Sequence, residues 1–474
     1  MLCYNQKTAE GDKRFLLENR NYEKNRATII YVPFLAHKKW YNISTPKPKR
    51  TGEKKMKAFE KIIGYEKIKD ELKQICDIVQ NRDIYKKMGA NMPNGILING
   101  APGLGKSLMA HTLIEACGIN SYILRRTKGD GDFIREIERV FTEAQQNAPS
   151  IILLDDLDKF PCQDGSQEEL SAVQAWIDKV KCDDVFIIAT ANDLGDIPKS
   201  LIRSGRFDRR IVVEAPSIDD ATKIIEHYLK GKPIVADVNI DDVAKMLAGD
   251  SCATLEATIN DAAVYAAYER CDKVEMRHLV MATLRENYHI GSLKELTEDE
   301  LTEVAYHEAG HAVISELILE GSVGMVSISA RCGSDRIGFV RKCKEHRRRA
   351  HIILTILGGK AGAELTIGRV ASGAQNDLYR AQAQIRDAIT DSGTMGNHVL
   401  GCGYSDTSER SQHESELLTR AKLDEYLFKA KEMLCKNRGF YEAVARALLE
   451  RKTLLASDIA RIRSEHSIVK VDIA

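Results

Sequence analysis

Short apolar runs separated by amphipathic stretches mark the first half of the chain. Three such runs lie at residues 95–99, 150–154 and 185–189, and Ile211-Val-Val-Glu214 adds a fourth before Pro216. Runs of this length are typical of strands that are buried on both faces of a parallel sheet. The stretches between them carry apolar residues at helical spacing. The pattern therefore predicts an α/β unit with a parallel sheet covered by helices.

The second half of the chain has a helical pattern with one interruption. Residues 219–288 are alanine-rich and predict a small helical lid, which ends near Gly291-Ser292. Thr297-Glu-Asp-Glu300 is a capping-box pattern and predicts the start of a further helix. Short alternating runs over 325–340 predict a small sheet before helical segments resume. We therefore predict four segments: a basic flexible arm (1–57), an α/β nucleotide-binding subdomain (58–216), a helical lid (217–290) and a mainly α-helical domain (291–474).

The composition excludes some classes of protein. The chain has 474 residues, 43% of them hydrophobic, and its 69 basic and 69 acidic residues give no argument for a nucleic acid partner. Eleven cysteines are scattered without Cys-x-x-Cys pairs, so we expect no disulfide framework and predict a reducing cytoplasm. The apolar run 27–36 is half the roughly 20 residues that a bilayer span needs, so we predict no transmembrane segment. For the basic arm and the basic stretch 341–349 we expect solvated surfaces, with contact to an anionic surface as the alternative for the arm and a docking site as the alternative for 341–349.

A glycine-rich loop follows the first predicted strand and precedes a predicted helix. Its sequence, Gly-Ala-Pro-Gly-Leu-Gly-Lys-Ser, predicts a phosphate-binding loop, because backbone amides and the helix N-terminus together favour anions. Lys106 would contact the β- and γ-phosphates of ATP, and Ser107 would ligate Mg²⁺. The remaining predicted nucleotide contacts are Gly100, Ala101, Pro102, Gly103, Leu104 and Gly105.

Polar residues end the next two predicted strands. Asp155 and Asp156 follow the run 151–154, where Asp155 would coordinate Mg²⁺ and Asp156 would polarise the attacking water. Asn192 follows the run 185–189 and would position that water near the γ-phosphate. Solvated strand-end acids and a turn asparagine are the alternative interpretations. The glycine loop upstream favours the catalytic one.

The motif His307-Glu308-Ala-Gly-His311 lies about 200 residues after the glycine loop. On a helix, His307 and His311 face the same side and can bind Zn²⁺, while Glu308 can act as general base on the attacking water. Another divalent ion could replace zinc at such ligands. A catalytic zinc site needs three protein ligands, so one more must come from downstream.

Arg203-Ser-Gly-Arg206-Phe-Asp-Arg209 completes the set of motifs. Arginines in this arrangement indicate anion binding by themselves. The order of the motifs resembles an AAA+ ATPase, and with the zinc helix downstream it resembles the FtsH family of ATP-dependent zinc proteases. The resemblance extends from about Phe59 to about Leu449 and includes a diverged lid motif at residues 249–255. It does not include the N-terminal arm, where family members carry membrane-spanning helices.

The resemblance implies a homo-hexameric ring that unfolds protein substrates and feeds them to an attached protease ring. It implies that Arg203 and Arg206 act across the subunit interface as arginine fingers. It also implies Asp377 as the third zinc ligand, because residues 372–378 match the family segment that supplies an aspartate. Glu364 is the alternative ligand, with a supporting or salt-bridge role equally open.

The chain departs from the family pattern in two places that bear on activity. Asp156 stands where most such ATPases have glutamate, so we expect slow ATP hydrolysis. Gly129-Asp130-Gly131 stands where the family has an aromatic residue that grips substrate in the central pore, with Phe133 nearby as a substitute. We therefore expect weak threading of folded substrates.

The leading functional interpretation is an ATP-dependent zinc metalloendopeptidase. A nucleotide-gated remodelling protein is one alternative, and intact His307, Glu308 and His311 argue against it. A zinc peptidase whose ATPase only organises the ring is the other.

Overall fold

We describe the fold from a computed structural model of the chain. It describes residues 57–126, 130–161, 168–181, 183–195, 197–203, 205–287, 297–332, 336–368, 374–390, 392–395 and 409–472. The predicted arm up to residue 56 and the predicted boundary at Gly291-Ser292 lie outside these residues.

The first sheet has five parallel strands in the order β2-β3-β4-β1-β5. All residues of β1, β3 and β4 are buried, as expected for strands with helices on both faces. The predicted α/β unit is therefore confirmed. The strands are β1 (Gly95–Asn99), β2 (Asn120–Leu124), β3 (Ser150–Leu154), β4 (Val185–Ala191) and β5 (Arg209–Val212).

Two parts of this sheet differ from the sequence prediction. The pattern placed the last strand at 211–214, but β5 begins at Arg209, which lies opposite Ile96 in the ladder with β1. The pattern also missed β2. Only two of its five residues are buried, because it is the edge strand beside β3 and lacks a continuous apolar run.

In the described residues, five helices accompany the sheet and four more form the lid. Two hydrophobic clusters fill the two faces of the sheet, and one of them continues into the lid. Short 3₁₀ segments lie at Lys57–Lys61 and Leu157–Lys159. The helices up to the end of the lid are α1 (Glu66–Gln80), α2 (Arg82–Lys87), α3 (Lys106–Cys117), α4 (Asp130–Gln146), α5 (Glu168–Val180), α6 (Ile218–Leu229), α7 (Ile240–Met246), α8 (Cys252–Tyr268) and α9 (Met276–Asn287).

The C-terminal region is mainly helical and has its own hydrophobic core. Its first helix begins with the predicted capping box, in which Thr297 and Glu300 satisfy each other's backbone amides. The predicted small sheet forms, with a third strand that the pattern missed, in the antiparallel order β7-β6-β8. Its elements are α10 (Glu298–Ile318), β6 (Val323–Cys332), β7 (Arg336–Lys342), α11 (Arg349–Thr366), α12 (Ala374–Thr390), α13 (Glu409–Lys436), α14 (Arg438–Arg451), β8 (Thr453–Leu455) and α15 (Ala456–Ser464).

Candidate nucleotide and metal sites

The glycine loop connects β1 to α3 with the geometry of a phosphate cradle. Gly103 and Gly105 have φ of +79° and +84°, a left-handed conformation that glycine adopts without strain. Leu104 is buried beneath the loop, whereas Ala101 and Pro102 are exposed. The loop therefore presents open backbone directly before the N-terminus of α3, where anions are favoured.

Lys106 lies beneath this loop and is only 5% exposed. Its Nζ donates hydrogen bonds to the Ala101 carbonyl and to Asn192 Oδ1, both at 2.7 Å. Burial lowers the pKa of Lys106, while the carboxylates of Asp156 and Asp158 oppose that shift. The loop lysine and the predicted water-positioning asparagine are thus in direct contact.

Asp155 and Ser107 are also brought together. Ser107 Oγ donates to Asp155 Oδ1 at 2.9 Å, and Thr190 Oγ1 donates to the same oxygen at 2.8 Å. Asp155 is 5% exposed. A hydroxyl and a carboxylate side by side at the edge of the phosphate loop are the ligand types that Mg²⁺ takes in such sites.

Asp156 has a more constrained position than the sequence suggested. Its backbone is left-handed, with φ of +58°, and its amide donates to Thr190 Oγ1 at 2.9 Å. Its Oδ2 accepts from Arg125 at 2.7 Å and from Lys159 at 3.0 Å. Burial opposes ionisation, but these two cations outweigh it and hold the pKa of Asp156 below its usual value. Asp156 is therefore an ionised carboxylate engaged by two cations.

Asp158 is a site residue that the sequence reasoning missed. Its Oδ2 accepts from the Asn192 side-chain amide at 3.3 Å, and its buried Oδ1 has no hydrogen-bond partner. The available signal was a second acid two residues after Asp156, in the turn that follows β3. Three carboxylates therefore lie near Lys106 instead of two.

The two predicted finger arginines have different environments. Arg203 is exposed. Arg206 is 4% exposed and forms a two-pronged ion pair with Asp178 of α5, at 2.9 Å from Nε to Oδ1 and 2.6 Å from Nη2 to Oδ2. It also donates to the Ser200 carbonyl. Within one chain, Arg203 is available to a neighbouring molecule and Arg206 is held internally.

The predicted metal ligands converge at the junction of α10, α11 and α12. Asp377 Oδ2 lies 3.2 Å from His307 Nε2 and 3.1 Å from His311 Nε2, and the two Nε2 atoms are 3.1 Å apart. All three side chains are largely buried. Burial raises the pKa of Asp377, but the two imidazoles outweigh this and hold its pKa well below the usual range.

The convergence fits a tetrahedral zinc ion. Zinc binds histidine nitrogen and carboxylate oxygen at about 2.0–2.2 Å, which places tetrahedral ligands about 3.3 Å from one another. His311 Nδ1 is 2.7 Å from the Thr355 carbonyl and 3.3 Å from the Gly359 amide. The shorter contact places the proton on Nδ1, so Nε2 offers its lone pair to the shared point. Two imidazole nitrogens and a carboxylate oxygen that face one point form a donor set that fits zinc.

Glycines on α10 and α11 create the room for this cluster. A Cβ at Gly359 would lie 2.4 Å from His311 Nε2 and 2.6 Å from His307 Nε2. A Cβ at Gly310 would lie 2.2 Å from the Gly358 carbonyl oxygen, so the backbones of the two helices are in direct contact. The metal site is therefore a cradle that any side chain at position 359 would fill.

Glu308 lies beside the cluster under strand β7. It is 6% exposed, and a Cβ at Gly338 would approach its Cγ and Oε1 to 2.8 Å. Gly338 has φ of +90°, which favours glycine. The strand thus presses backbone against the carboxylate and fixes its position next to the two histidines.

Glu364, the alternative third ligand, lies away from the cluster. Its carboxylate pairs with Lys360 of the same helix and with Lys431 of α13, the latter at 2.6 Å. These cations, acting against burial, hold the pKa of Glu364 below its usual value. Glu364 therefore serves the packing of α11 on α13.

Comparisons with known proteins find family matches in both halves of the chain. The model of the ATPase family associated with various cellular activities (AAA) matches residues 96–215, and that of peptidase family M41 matches residues 294–462. The chain is 28% identical to ATP-dependent zinc metalloprotease FtsH of Halothermothrix orenii, over 83% of this chain and 68% of that protein. The FtsH proteins of Helicobacter pylori and Thermus thermophilus are also 28% identical, covering 90% and 85% of this chain and 73% and 70% of their own.

The chain therefore combines an AAA domain with an M41 peptidase domain, and it is similar to FtsH proteins over most of its length. Its AAA domain holds the phosphate loop and its M41 domain holds the histidine and aspartate cluster. No helix in the described ranges combines the length and the apolar character that crossing a bilayer requires.

Phe133, which was considered as a substitute for the pore aromatic, cannot take that role in this structure. Phe133 is fully buried and packs edge-on against Phe160, with ring centroids 5.0 Å apart. The guanidinium of Arg126 covers the same ring at 5.8 Å. Phe133 is thus part of the AAA core. The predicted pore position 129–131 has no described side chain.

A second group of ligand-type side chains lies in the lid, but it does not fit a metal. Glu269, Cys271 and His278 offer atoms within 4.8 Å of one another. The guanidinium of Arg277 already contacts Glu269 and, at 3.2 Å, Cys271 Sγ. His278 Nδ1 accepts the Glu275 amide at 2.9 Å, which leaves the proton on Nε2, the nitrogen that faces Glu269. This group is a hydrogen-bonded network that stabilises the start of α9.

Proposed function

We propose that this chain is an ATP-dependent zinc metalloendopeptidase that degrades protein substrates as a homo-hexamer. One observation carries the proposal: His307, His311 and Asp377 direct their ligand atoms at a single point beside Glu308, in a chain whose other half holds a formed phosphate loop. The FtsH relatives, named as ATP-dependent zinc metalloproteases, support it. A cytoplasmic location stays a prediction from the scattered cysteines.

Glu308 is the proposed general base of peptide hydrolysis. Zinc, when held by His307, His311 and Asp377, supplies a Lewis acid that makes a water nucleophilic at neutral pH. Glu308 takes the proton of the attacking water and passes it to the leaving amine. Contact with Gly338 limits the positions its carboxylate can adopt, which keeps it in reach of that water.

The AAA domain is the proposed site of ATP and Mg²⁺. Ser107 and Asp155 would hold Mg²⁺, and Lys106 would exchange its contacts with Ala101 and Asn192 for the β- and γ-phosphates. Asn192 is then released to position the attacking water. Asp156 would polarise that water, and its ion pairs with cations support slow hydrolysis.

A ring of six copies is the proposed assembly. The exposed Arg203 follows a family motif whose arginines complete the ATP site of the next subunit, and its exposure supports that role. Arg206 can take the same role only by leaving Asp178. Protein substrates follow from the M41 match.

A second candidate function is a zinc peptidase whose ATPase organises the ring without driving unfolding. It is favoured by the short Asp156 side chain, which two cations engage, and by the burial of Phe133. The peptidase chemistry is the same in both candidates. They differ in whether ATP hydrolysis accelerates degradation.

Degradation of an unstructured protein by the purified chain with zinc tests the proposal. We expect ATP to stimulate cleavage, and we expect Glu308→Gln to abolish cleavage while ATP hydrolysis continues. Lys106→Ala should remove the stimulation while oligomers remain. Cleavage that ignores both ATP and Lys106→Ala would favour the ring-organising alternative. Absence of cleavage by the zinc-loaded chain would refute the peptidase assignment.

A further inference from the structure

The lid of the AAA domain is attached to the peptidase domain by two polar contacts. Asp242 of α7 accepts hydrogen bonds from the Ser457 amide at 2.9 Å and from its hydroxyl, at the start of α15. Arg341 of β7 pairs with Asp250 at 2.5 Å and donates to the Ala248 carbonyl at 2.8 Å. Arg341 is largely buried, so the solvated surface expected for it was wrong. These contacts fasten lid and peptidase domain together.

The lid segment whose residues Ala248 and Asp250 contact Arg341 also contacts the phosphate loop. The Ala253 amide donates to the Gly103 carbonyl at 3.0 Å. A Cβ at Gly103 would lie 2.7 Å from Ser251 Oγ, so the phosphate loop and the lid segment are in close contact at this point. Asp250 directly precedes Ser251, the residue that caps α8. A shift of the loop therefore displaces the segment that carries Asp250.

Strand β7 continues the path to the metal site. Gly338 lies three residues before Arg341, about 10 Å along the strand, and packs against Glu308. On its other side β7 is hydrogen-bonded to β6, which limits bending of the strand. A force applied to Arg341 therefore acts on the backbone that positions Glu308.

We infer that the ion pair of Asp250 with Arg341 couples nucleotide binding at the phosphate loop to the position of Glu308. Arg341 is a positioning residue, acting through β7, and the inference rests on the proposed function. Nucleotide rearranges the contacts of the loop, because Lys106 now donates a hydrogen bond to the Ala101 carbonyl and would give it up for the phosphates. A change at Gly103 reaches lid residues 250–253. The ion pair of Asp250 with Arg341 then carries it to β7 and to Gly338.

Linkage gives a test that does not depend on cleavage. If nucleotide changes polypeptide binding at the peptidase site, polypeptide must change nucleotide binding by the same factor. The Glu308→Gln chain, loaded with zinc, serves as reference because it holds polypeptide without cutting it. The dissociation constant of ADP is measured calorimetrically with and without saturating unfolded casein. We expect casein to shift it by at least about fivefold.

When Arg341→Gln is added to this reference, casein should no longer change the dissociation constant of ADP, so the ratio of the values with and without casein should be about one. The affinity for ADP in the absence of casein should stay unchanged. Exchanging the charges, Arg341→Asp with Asp250→Arg, should restore part of the effect, which a merely structural role would not explain. Ser457→Ala is the matched control, since it weakens the other attachment and leaves β7 untouched. Equal melting temperature and zinc content establish that each variant is folded.

Three results would overturn the inference: no casein effect in the reference, an undiminished effect in Arg341→Gln, or equal losses in Arg341→Gln and Ser457→Ala. The last result would mean that general docking of the lid, and not this ion pair, carries the coupling. Failure of the proposed function is a separate outcome. It would appear as absence of ATP-stimulated degradation in chains that have an intact Glu308.

Discussion

Replacing Gly359 by alanine should strongly weaken zinc binding without disturbing the AAA domain. The new Cβ would lie 2.4 Å from His311 Nε2, whereas ordinary contact begins at 3.4 Å, so the atoms must separate by about 1 Å. Zinc ligands tolerate displacements of about 0.2 Å. We therefore expect zinc affinity to fall at least 100-fold, or about 2.7 kcal/mol.

Gly362→Ala is the matched control on the same helix. Its Cβ would crowd Tyr441 Oη at 2.6 Å and the Tyr306 carbonyl at 2.9 Å, and none of its nearest atoms belongs to the side chain of a metal ligand. It should cost about 1–3 kcal/mol of stability and keep zinc. Zinc content after dialysis against a chelator of known affinity measures the difference, with ATP hydrolysis reporting the AAA domain. Full zinc occupancy in Gly359→Ala would refute the reasoning.

Three further predictions concern single side chains. Asp156→Glu should raise the ATP hydrolysis rate, because the longer side chain extends past Arg125 and Lys159 toward the water; an unchanged or lower rate would count against this. Arg203→Ala should lower ATP hydrolysis at unchanged melting temperature, whereas Arg206→Ala should also cost about 1–3 kcal/mol, since its hydrogen bonds to Asp178 and Ser200 are internal; equal melting temperatures would contradict it. Burial, with the charges of Lys342 and His351, lowers the pKa of His346 to about 4. The unfolded chain therefore takes up this proton first on acidification, and stability that is complete above about pH 6.5 is lost toward pH 4, by about 2 kcal/mol between pH 7 and 5. Urea unfolding of the peptidase domain at both pH values checks this, and His346→Gln should remove that pH dependence.

The local parts of the fold were predictable and the long-range pairings were not. The run at residues 95–99 and the glycine loop after it indicate strand, loop and helix within one short window, and all three form. The edge strand β2 begins with two polar residues and lacks a continuous apolar run, so it follows only from its pairing with β3. β8 has three residues and depends on β6, more than 120 residues earlier.

The same distinction holds within the sites. His307 and His311 are one helical turn apart, so their shared face was readable from spacing. Asp377 lies 66 residues beyond His311, and only the family resemblance indicated it. The ion pair of Arg206 joins residues 28 positions apart, and the sequence around either residue does not predict it. The steric role of Gly359 depends on how two helices cross, which spacing cannot reveal.

The glycines where α10 and α11 are in contact provide a way to distinguish active peptidases from related chains that have lost activity. Gly310 and Gly358 let the two backbones meet, and a Cβ on either would lie within 2.6 Å of the other's carbonyl oxygen. A related chain could keep every histidine and carboxylate of the cluster and still lose its cradle through one alanine here. A survey of related genomes that reads ligand motifs alone would count such a chain as an enzyme, whereas these two positions would mark it as inactive.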